Sequence, residues 1–312
     1  MSFERHLKKS KAATAVARFL LRPLPDVQYL ALRYFVRFGR WPDYDNPRDF
    51  NECMHAYMLR CRDPRLKLLA DKQATREYVR EHAGPQYLIP SYGVWNDAES
   101  VPLPSLPRPF VLKATVGNSM NCFVREGDSV DERRLRRTIR NWLRIDFSRV
   151  NREWAYRDLP QKVIAERMLL TEGDGIPEDI KVYVVGRRAR FIQVDRNRFG
   201  NHTRNLYNPE WQLIPVRLTK QNHSADPRPS ALDEMVHLAE RLAAPFEFLR
   251  VDYYALRGQL YIGELTSYSG AGFETFIPAT YGEQLAAWWH EGVRRHATGK
   301  SVSESIAVGP RP

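Results

Sequence analysis

Two acidic residues inside a β-hairpin constrain this 312-residue chain more than any other feature. The stretch FEFLRVDYYALRGQLYIGELTSYSG, residues 246–270, has the alternation of two strands around a turn at Arg257-Gly258. Asp252 interrupts the first strand and Glu264 the second. Arg250 and Asp252 share one face of their strand, and Leu260, Ile262 and Glu264 share one face of theirs. The turn decides whether those faces coincide. A two-residue turn pairs Leu256 with Gln259 and Asp252 with Gly263, and Glu264 then points away. A three-residue loop, Arg257-Gly258-Gln259, pairs Leu256 with Leu260 and sets Asp252 opposite Glu264, with Cβ atoms about 4.5–5.5 Å apart. Two carboxylates that close repel unless a cation lies between them. Mg²⁺ takes oxygen ligands and commonly uses one or two carboxylates with substrate phosphates. One register makes a metal site, and the other makes two unrelated acids on a solvated strand face.

Two lysines stand in comparable settings. Lys113 lies in the apolar strand FVLKA (110–114) and Lys181 in DIKVYVVG (179–186). A lysine is rarely buried without a partner, so each either snorkels to a strand edge or serves an anion. After Lys113 comes Thr115-Val116-Gly117-Asn118-Ser119, a small-residue loop whose backbone N–H groups, with the ammonium, suit a phosphate.

The surrounding chain predicts an α+β fold on antiparallel sheets. Residues 1–62 are mostly helical. DPRLKLLADKQATREYVREHAG (63–84) predicts one helix, with Asp63 as cap, Pro64 in the first turn and Gly84 at the end. YLIP (87–90) predicts a short strand, and 131–146 a basic helix. Strands follow at 163–169, 179–186 and 189–196, then a helix ended by Pro245, the hairpin, and a last helix over about 281–297. Strands and helices do not alternate as in a doubly wound sheet. Apolar residues make up 43 % and charged residues 27 %, a globular composition. No run approaches the ~20 apolar residues of a membrane span, and no secretory leader is evident. Cys53, Cys61 and Cys122 lack metal-ligand spacing and predict free thiols in a reducing, cytoplasmic setting. The net charge of +11 is uneven: residues 1–40 hold nine basic residues against Glu4 and Asp26. Such an amphipathic start suits peripheral contact with an anionic membrane face, or is an ordinary solvated helical lead-in. Zinc-finger spacing, RNP-like aromatics and a helix-turn-helix are missing, which argues against nucleic acid.

In order along the chain, NPRDFNE (46–52), DPRLKLLADKQATREYV (63–79), YLIPSYGVW (87–95), PFVLKATVGN (109–118), VIAERML (163–169), DIKVYVVG (179–186) and FLRVDYYALRGQLYIGELT (248–266) resemble ATP-grasp enzymes, most closely their teichuronopeptide-biosynthesis (TupA-like) branch. The C-terminal part also resembles the metal end of D-alanine–D-alanine ligases, where an R-x-D strand precedes a G-Q-x-Y-x-x-E strand. The resemblance implies two α+β subdomains with antiparallel sheets clasping ATP, after a helical N-terminal region. The expected bounds are 1–62 for the basic helical region, 63–108 for a pre-ATP-grasp segment, 109–165 for the small lid subdomain, 166–298 for the large subdomain and 299–312 for a flexible tail.

It also implies roles. Lys72 and Lys113 would reach the ATP phosphates, with Gly117 and Asn118 in the covering loop. Glu166 would lie on the hinge strand at the adenine, with the backbone around Met168 on the base edge. Asp252, Glu264 and Thr266 would hold Mg²⁺, and Thr266 stands where the superfamily usually has Asn. Arg250 would bind the transferred phosphate or acyl group, with Lys181 typical of the branch. Val116 and Ser119 depart from the glycine- and histidine-rich loop usual after the strand lysine. Ser269 and Thr275 would line an acceptor pocket, and Arg196, Arg198 and Arg204 would grip a carboxylated glycan. The implied activity is an ADP-forming carboxylate–amine ligation through an acyl phosphate, joining an amino acid or peptide to an acidic cell-surface polysaccharide. The alternatives are a phosphotransferase acting on a hydroxyl and a non-catalytic glycan-binding protein.

Overall fold

In the computed structural model, which describes residue 21 and residues 23–197 and 200–298, the apolar strand segments form two antiparallel sheets. The smaller has the order β1-β4-β2-β3, from β1 (Ser91–Trp95), β2 (Phe110–Ala114), β3 (Asn121–Val124) and β4 (Val163–Arg167). The larger has the order β11-β10-β5-β6-β7-β8, from β5 (Asp179–Val185), β6 (Arg188–Arg196), β7 (Thr203–Tyr207), β8 (Leu213–Ile214), β10 (Phe248–Leu256) and β11 (Gln259–Thr266). A ribbon of β9 (Arg217–Leu218) and β12 (Phe276–Ile277) completes the strands.

Each sheet has its own core. Phe110, Leu112 and Ala165 of the small sheet bury against Leu135 and Ile139 of a basic helix, Glu132–Leu143. The large sheet packs on α1 (Asp26–Phe38), α2 (Phe50–Arg60) and two C-terminal helices, Leu232–Ala243 and Thr280–Ala297. Phe50 of α2 meets Phe248 of β10 and Trp289 edge-on, with ring centroids 5.6 and 6.0 Å away. Each such buried aromatic contributes about 1.5–3 kcal/mol. α1 and α2 therefore belong to the large-sheet core.

Several expectations change. The predicted helix over 63–84 is two helices, α3 (Arg65–Ala70) and α4 (Lys72–His82), broken at Asp71. The strand expected at 87–90 lies at 91–95, and only Leu88 bridges, to Ile262. That strand brings part of the 63–108 segment into the small sheet, and β4 ends at Arg167, past the expected boundary at 165. Arg5, Lys8, Lys9, Lys11, Arg18 and Arg22 lie outside the described residues, as does 299–312. The described cations of the basic start have partners within the fold: Arg33 bonds Asn151 and covers the Phe273 ring, Arg37 donates to Thr275, and Arg40 pairs with Asp49 and Glu52. In NPRDFNE, Asp49 caps α2 by accepting the Glu52 N–H at 2.9 Å. Cys53 is buried, Cys61 and Cys122 are half-buried, and all three are free thiols.

Candidate functional site

The hairpin satisfies the pairing condition by a route different from the predicted one. Arg257 and Gly258 have φ of 52° and 75°, the signature of a two-residue type I′ turn, and Leu256 pairs with Gln259. The three-residue loop is absent. Tyr253 pairs with Ile262, but Asp252 pairs with Glu264, and Gly263 is the extra residue of a β-bulge. The bulge reverses the alternation, so Glu264 does not share the face of Leu260 and Ile262. Those two are buried, while Glu264 turns to the other side beside Asp252. A Cβ on Gly263 would stand 2.5 Å from Cε2 of Tyr254, so any larger residue in the bulge has to displace that ring.

Cross-strand pairing assembles the rest of this face. Asp252 lies opposite Lys181 of β5, and Arg250 opposite Tyr183. Arg250 grips the Asp252 carboxylate with both arms of its fork, Nε to Oδ1 at 2.6 Å and Nη2 to Oδ2 at 2.8 Å. Lys181 donates to Asp252 Oδ2 and, at 2.5 Å, to Asp179 Oδ2. Burial pushes the Asp252 carboxyl up, but Arg250 and Lys181 outweigh it and hold the group below the usual carboxylate range. Burial likewise opposes the charge on Arg250, and Asp252 overcomes it, raising the guanidinium well above its ordinary value.

Asp252, Glu264 and Thr266 fit a hard divalent cation. Asp252 Oδ1 accepts one bond and keeps a lone pair, and Glu264 is 39 % exposed. Thr266 Oγ1 is buried and has no hydrogen-bond partner among the described residues. An orphaned oxygen has the chemistry of a Mg²⁺ donor; Thr266 pairs with Arg250 across the hairpin and is not in the lining of the cleft that Asp252 and Glu264 share. Among the described residues no group of three or more His, Cys, Asp or Glu is placed to hold a metal ion.

The break at Asp71 builds the opposite wall. Asp71 accepts the N–H groups of Gln73 at 2.7 Å and Ala74 at 3.3 Å, which starts α4 with Lys72 as its first residue. A cation there opposes the helix dipole, so local stability does not explain it. Its ammonium donates to Gly117 O at 2.6 Å, and its backbone N–H to Thr115 O at 2.9 Å. Burial lowers the Lys72 pKa, with Glu264 acting against it. Gly117 has φ of 96°, and Phe147 fills the place a Cβ would occupy. Val116 is buried and clasped by Gln161, so it packs and covers nothing, whereas Asn118 and Ser119 line the cleft.

Glu166 differs from expectation. Its carboxylate takes Lys113 Nζ at 2.7 Å and Arg76 Nη1 at 2.9 Å, so in this structure its two oxygens are occupied by those cations. Met168 lines the cleft, yet its N–H already donates to Pro109 O at 3.1 Å, and the Arg167 N–H to Pro90 O at 2.9 Å.

Side chains of both sheets enclose one cleft of about 530 Å³. Lys72, Lys113, Gly117, Asn118, Met168, Lys181, Arg250, Asp252 and Glu264 all line it. Of the acceptor residues, Ser269 is buried beside it and bonds Tyr183 at 3.2 Å and Glu274 at 3.1 Å. Thr275 is not in the lining; its hydroxyl accepts from Arg37 at 2.8 Å. Arg204 lines the cleft but pairs with Asp195 at 2.7 Å, and Arg196 pairs with Asp226 at 2.6 Å. Burial works against ionised Asp195, yet Arg204 and His202 hold it down at about 2. Arg198 lies outside the described residues. Arg196 and Arg204 are thus each held by an acid of the same sheet region.

Sequence reasoning missed Arg76 and Glu274. Arg76 carried a signal, being four residues after Lys72 on one helix. Glu274 carried none: its place in the cleft depends on Asn51 of α2, which exchanges two hydrogen bonds of 2.9 Å with its backbone.

The sequence model of the TupA-like ATPgrasp family matches residues 52–289. Among curated proteins, none matches this chain. Of solved structures, a D-alanine–D-alanine ligase from Bacillus anthracis is similar at 14 % identity and a TM-score of 0.46, over 75 % of this chain and 70 % of that one. A RimK domain ATP-grasp protein from Sphaerobacter thermophilus DSM 20745 is similar at 13 % identity and a TM-score of 0.40, over 73 % and 68 %. The ATP-grasp ligase PsnB, complexed with a minimal precursor, is similar at 16 % identity and a TM-score of 0.38, over 66 % of this chain and 53 % of PsnB.

Proposed function

The chain belongs to the TupA-like ATP-grasp family, and from that premise we propose that it is an ATP-dependent, ADP-forming carboxylate–amine ligase. It would make an amide through an acyl phosphate, in the assembly of a cell-surface polysaccharide or glycopeptide. The observation that carries this reading is the Gly263 bulge, which turns Glu264 onto the face of Asp252 beside Arg250 and Lys181. A solvated strand face needs no such device.

Asp252, Glu264 and Thr266 would hold Mg²⁺, which when bound neutralises charge on the phosphate oxygens of ATP. Lys72 and Lys113 bring ammonium groups from the facing wall of the same cleft. Arg250 and Lys181 keep Asp252 ionised and in place. Arg250 keeps its charge at any working pH and offers it to the acyl phosphate or to the oxyanion formed when the amine attacks. In the first step a substrate carboxylate oxygen bonds to the γ-phosphorus and the bond to ADP breaks. In the second, the amine nitrogen bonds to the acyl carbon and inorganic phosphate leaves. The amine is that of an amino acid or peptide and the carboxylate that of a uronic-acid glycan, or the reverse. Among the described residues no helix is long and apolar enough to cross a membrane. The basic residues from Arg5 to Arg22 suit peripheral contact with an anionic membrane face.

The test is an ADP-release screen over amino acids and uronic-acid glycans with MgATP, with Glu264→Gln as control and product analysis for an amide against a phosphate ester. Amide formed by wild type and lost in the variant supports the reading. Equal turnover in both removes the metal assignment, and a phosphate ester replaces the ligase with a kinase.

A further inference from the structure

Arg76 plays no part in the mechanism above, yet it is built into the nucleotide end of the cleft. It follows Lys72 by one turn of α4, so the two side chains leave the same helix face. Glu166 is only 7 % exposed, and its two oxygens carry one cation each, Arg76 on Oε1 and Lys113 on Oε2. The two cations differ in surroundings. Lys113 lines the main cleft, whereas Arg76 and Glu166 border a smaller cavity behind it, with Lys72 and Gly117. This creates a conflict for the lysine. A phosphate would compete with Glu166 for the ammonium, and a buried carboxylate deprived of its partner is strongly unfavourable.

We propose that Arg76 is a positioning residue of the nucleotide site: it keeps the Glu166 carboxylate satisfied while Lys113 turns to an ATP phosphate. The inference rests on the reading of Lys113 as a phosphate ligand. The division of labour follows from the side chains. Arginine is permanently charged, with a rigid fork suited to a standing partner, and lysine is a mobile point charge on a flexible stem. Arg76 acts through Lys113 and not on the nucleotide, since it does not line the main cleft. Without Arg76, Glu166 would depend on Lys113 alone and would pin it.

Calorimetry of MgATP and of adenosine, which offers no phosphate, on wild type, Arg76→Leu, Glu166→Gln and the double variant tests this. Arg76→Leu is expected to weaken MgATP by about tenfold, the worth of one charge-assisted hydrogen bond, and to leave adenosine unchanged. Adding Glu166→Gln to Arg76→Leu is expected to restore MgATP to within about threefold of Glu166→Gln alone, because a neutral amide no longer pins Lys113. The proposal is overturned if Arg76→Leu binds MgATP like wild type, or if it loses adenosine equally. It is also overturned if the double variant stays as weak as Arg76→Leu, which would mean direct contact with ATP. Wild type that binds no MgATP at millimolar concentration defeats the nucleotide reading itself, a different result from tight binding unaffected by Arg76→Leu.

Discussion

Replacing Gly263 with valine tests the link between the bulge and the metal face. The new Cβ would lie 2.5 Å from Cε2 of Tyr254, where ordinary contact begins at 3.4 Å, so ring or strand must move by about 1 Å. Tyr254 is half-buried and lines the cleft, so its ring can absorb part of the shift. The stability cost then falls in the lower half of the usual range for overpacking, about 1–2 kcal/mol, or a Tm lower by about 2–4 °C per kcal/mol. The effect on the site is larger. Glu264 is the next residue, and Mg²⁺ accepts oxygen ligands only near 2.0–2.1 Å in a nearly fixed octahedron. A displacement of about 1 Å removes one donor, and the magnesium-dependent gain in ATP affinity should fall by about tenfold or more.

The assay compares ATP affinity with Mg²⁺ and with EDTA, alongside thermal unfolding. Tyr254→Ala is the rescue: it removes the obstructing ring, so the double variant should recover most of the magnesium effect. Deleting Gly263 is the converse probe. Without it, Ile262 still pairs with Tyr253 and Glu264 with Asp252, so the carboxylates should stay opposed. A valine variant with an undiminished magnesium effect would refute the reasoning, and so would a loss that Tyr254→Ala leaves untouched.

Burial holds His55 neutral, with its pKa lowered to about 3 from 6.5, against the hydrogen bond that its Nε2 donates to Ala271 O. Below about 6.5 the unfolded chain binds the proton first, so unfolding free energy should decline by a few kcal/mol between about pH 6.5 and pH 3; His55→Phe should flatten that slope in urea titrations. Glu153 has the opposite sign: burial raises it to about 7 from 4.5, so its contribution is complete below 4.5 and is lost as pH rises through 7. Glu153→Gln should therefore raise the Tm at pH 8 relative to wild type and leave it unchanged at pH 4. Asp71→Ala should cost about 0.5–2 kcal/mol as a lost N-cap and, by releasing Lys72, weaken ATP binding in the same calorimetric assay.

Local grammar made much of this protein legible. Alternation located the hairpin, the Lys113 strand and the Lys181 strand, and each lies in a sheet within a residue or two of its expected place. The break at Asp71 was harder, because the apolar period runs through it. Only the cap geometry and the bridge from Asp71 to Val116 stop the helix. Arg196 and Arg204 looked available because the acids that neutralise them, Asp226 and Asp195, are brought close by strand pairing and a loop. Thr275 looked like a pocket residue, but its partner Arg37 is 238 positions away.

The hairpin shows why such cases resist reading. A two-residue turn alone sends Glu264 to the core face, and a bulge alone would do the same to the register of a three-residue loop. Together the two one-residue shifts cancel, and Asp252 meets Glu264 as it would across the longer loop. Gly263 was the available signal, since glycine inside a strand marks a bulge or a close backbone approach. Turn length alone therefore does not decide whether the carboxylates meet. The decisive quantity is the parity of residues between Asp252 and Glu264 after every bulge is counted, which a sequence shows only where a glycine makes the bulge sterically possible.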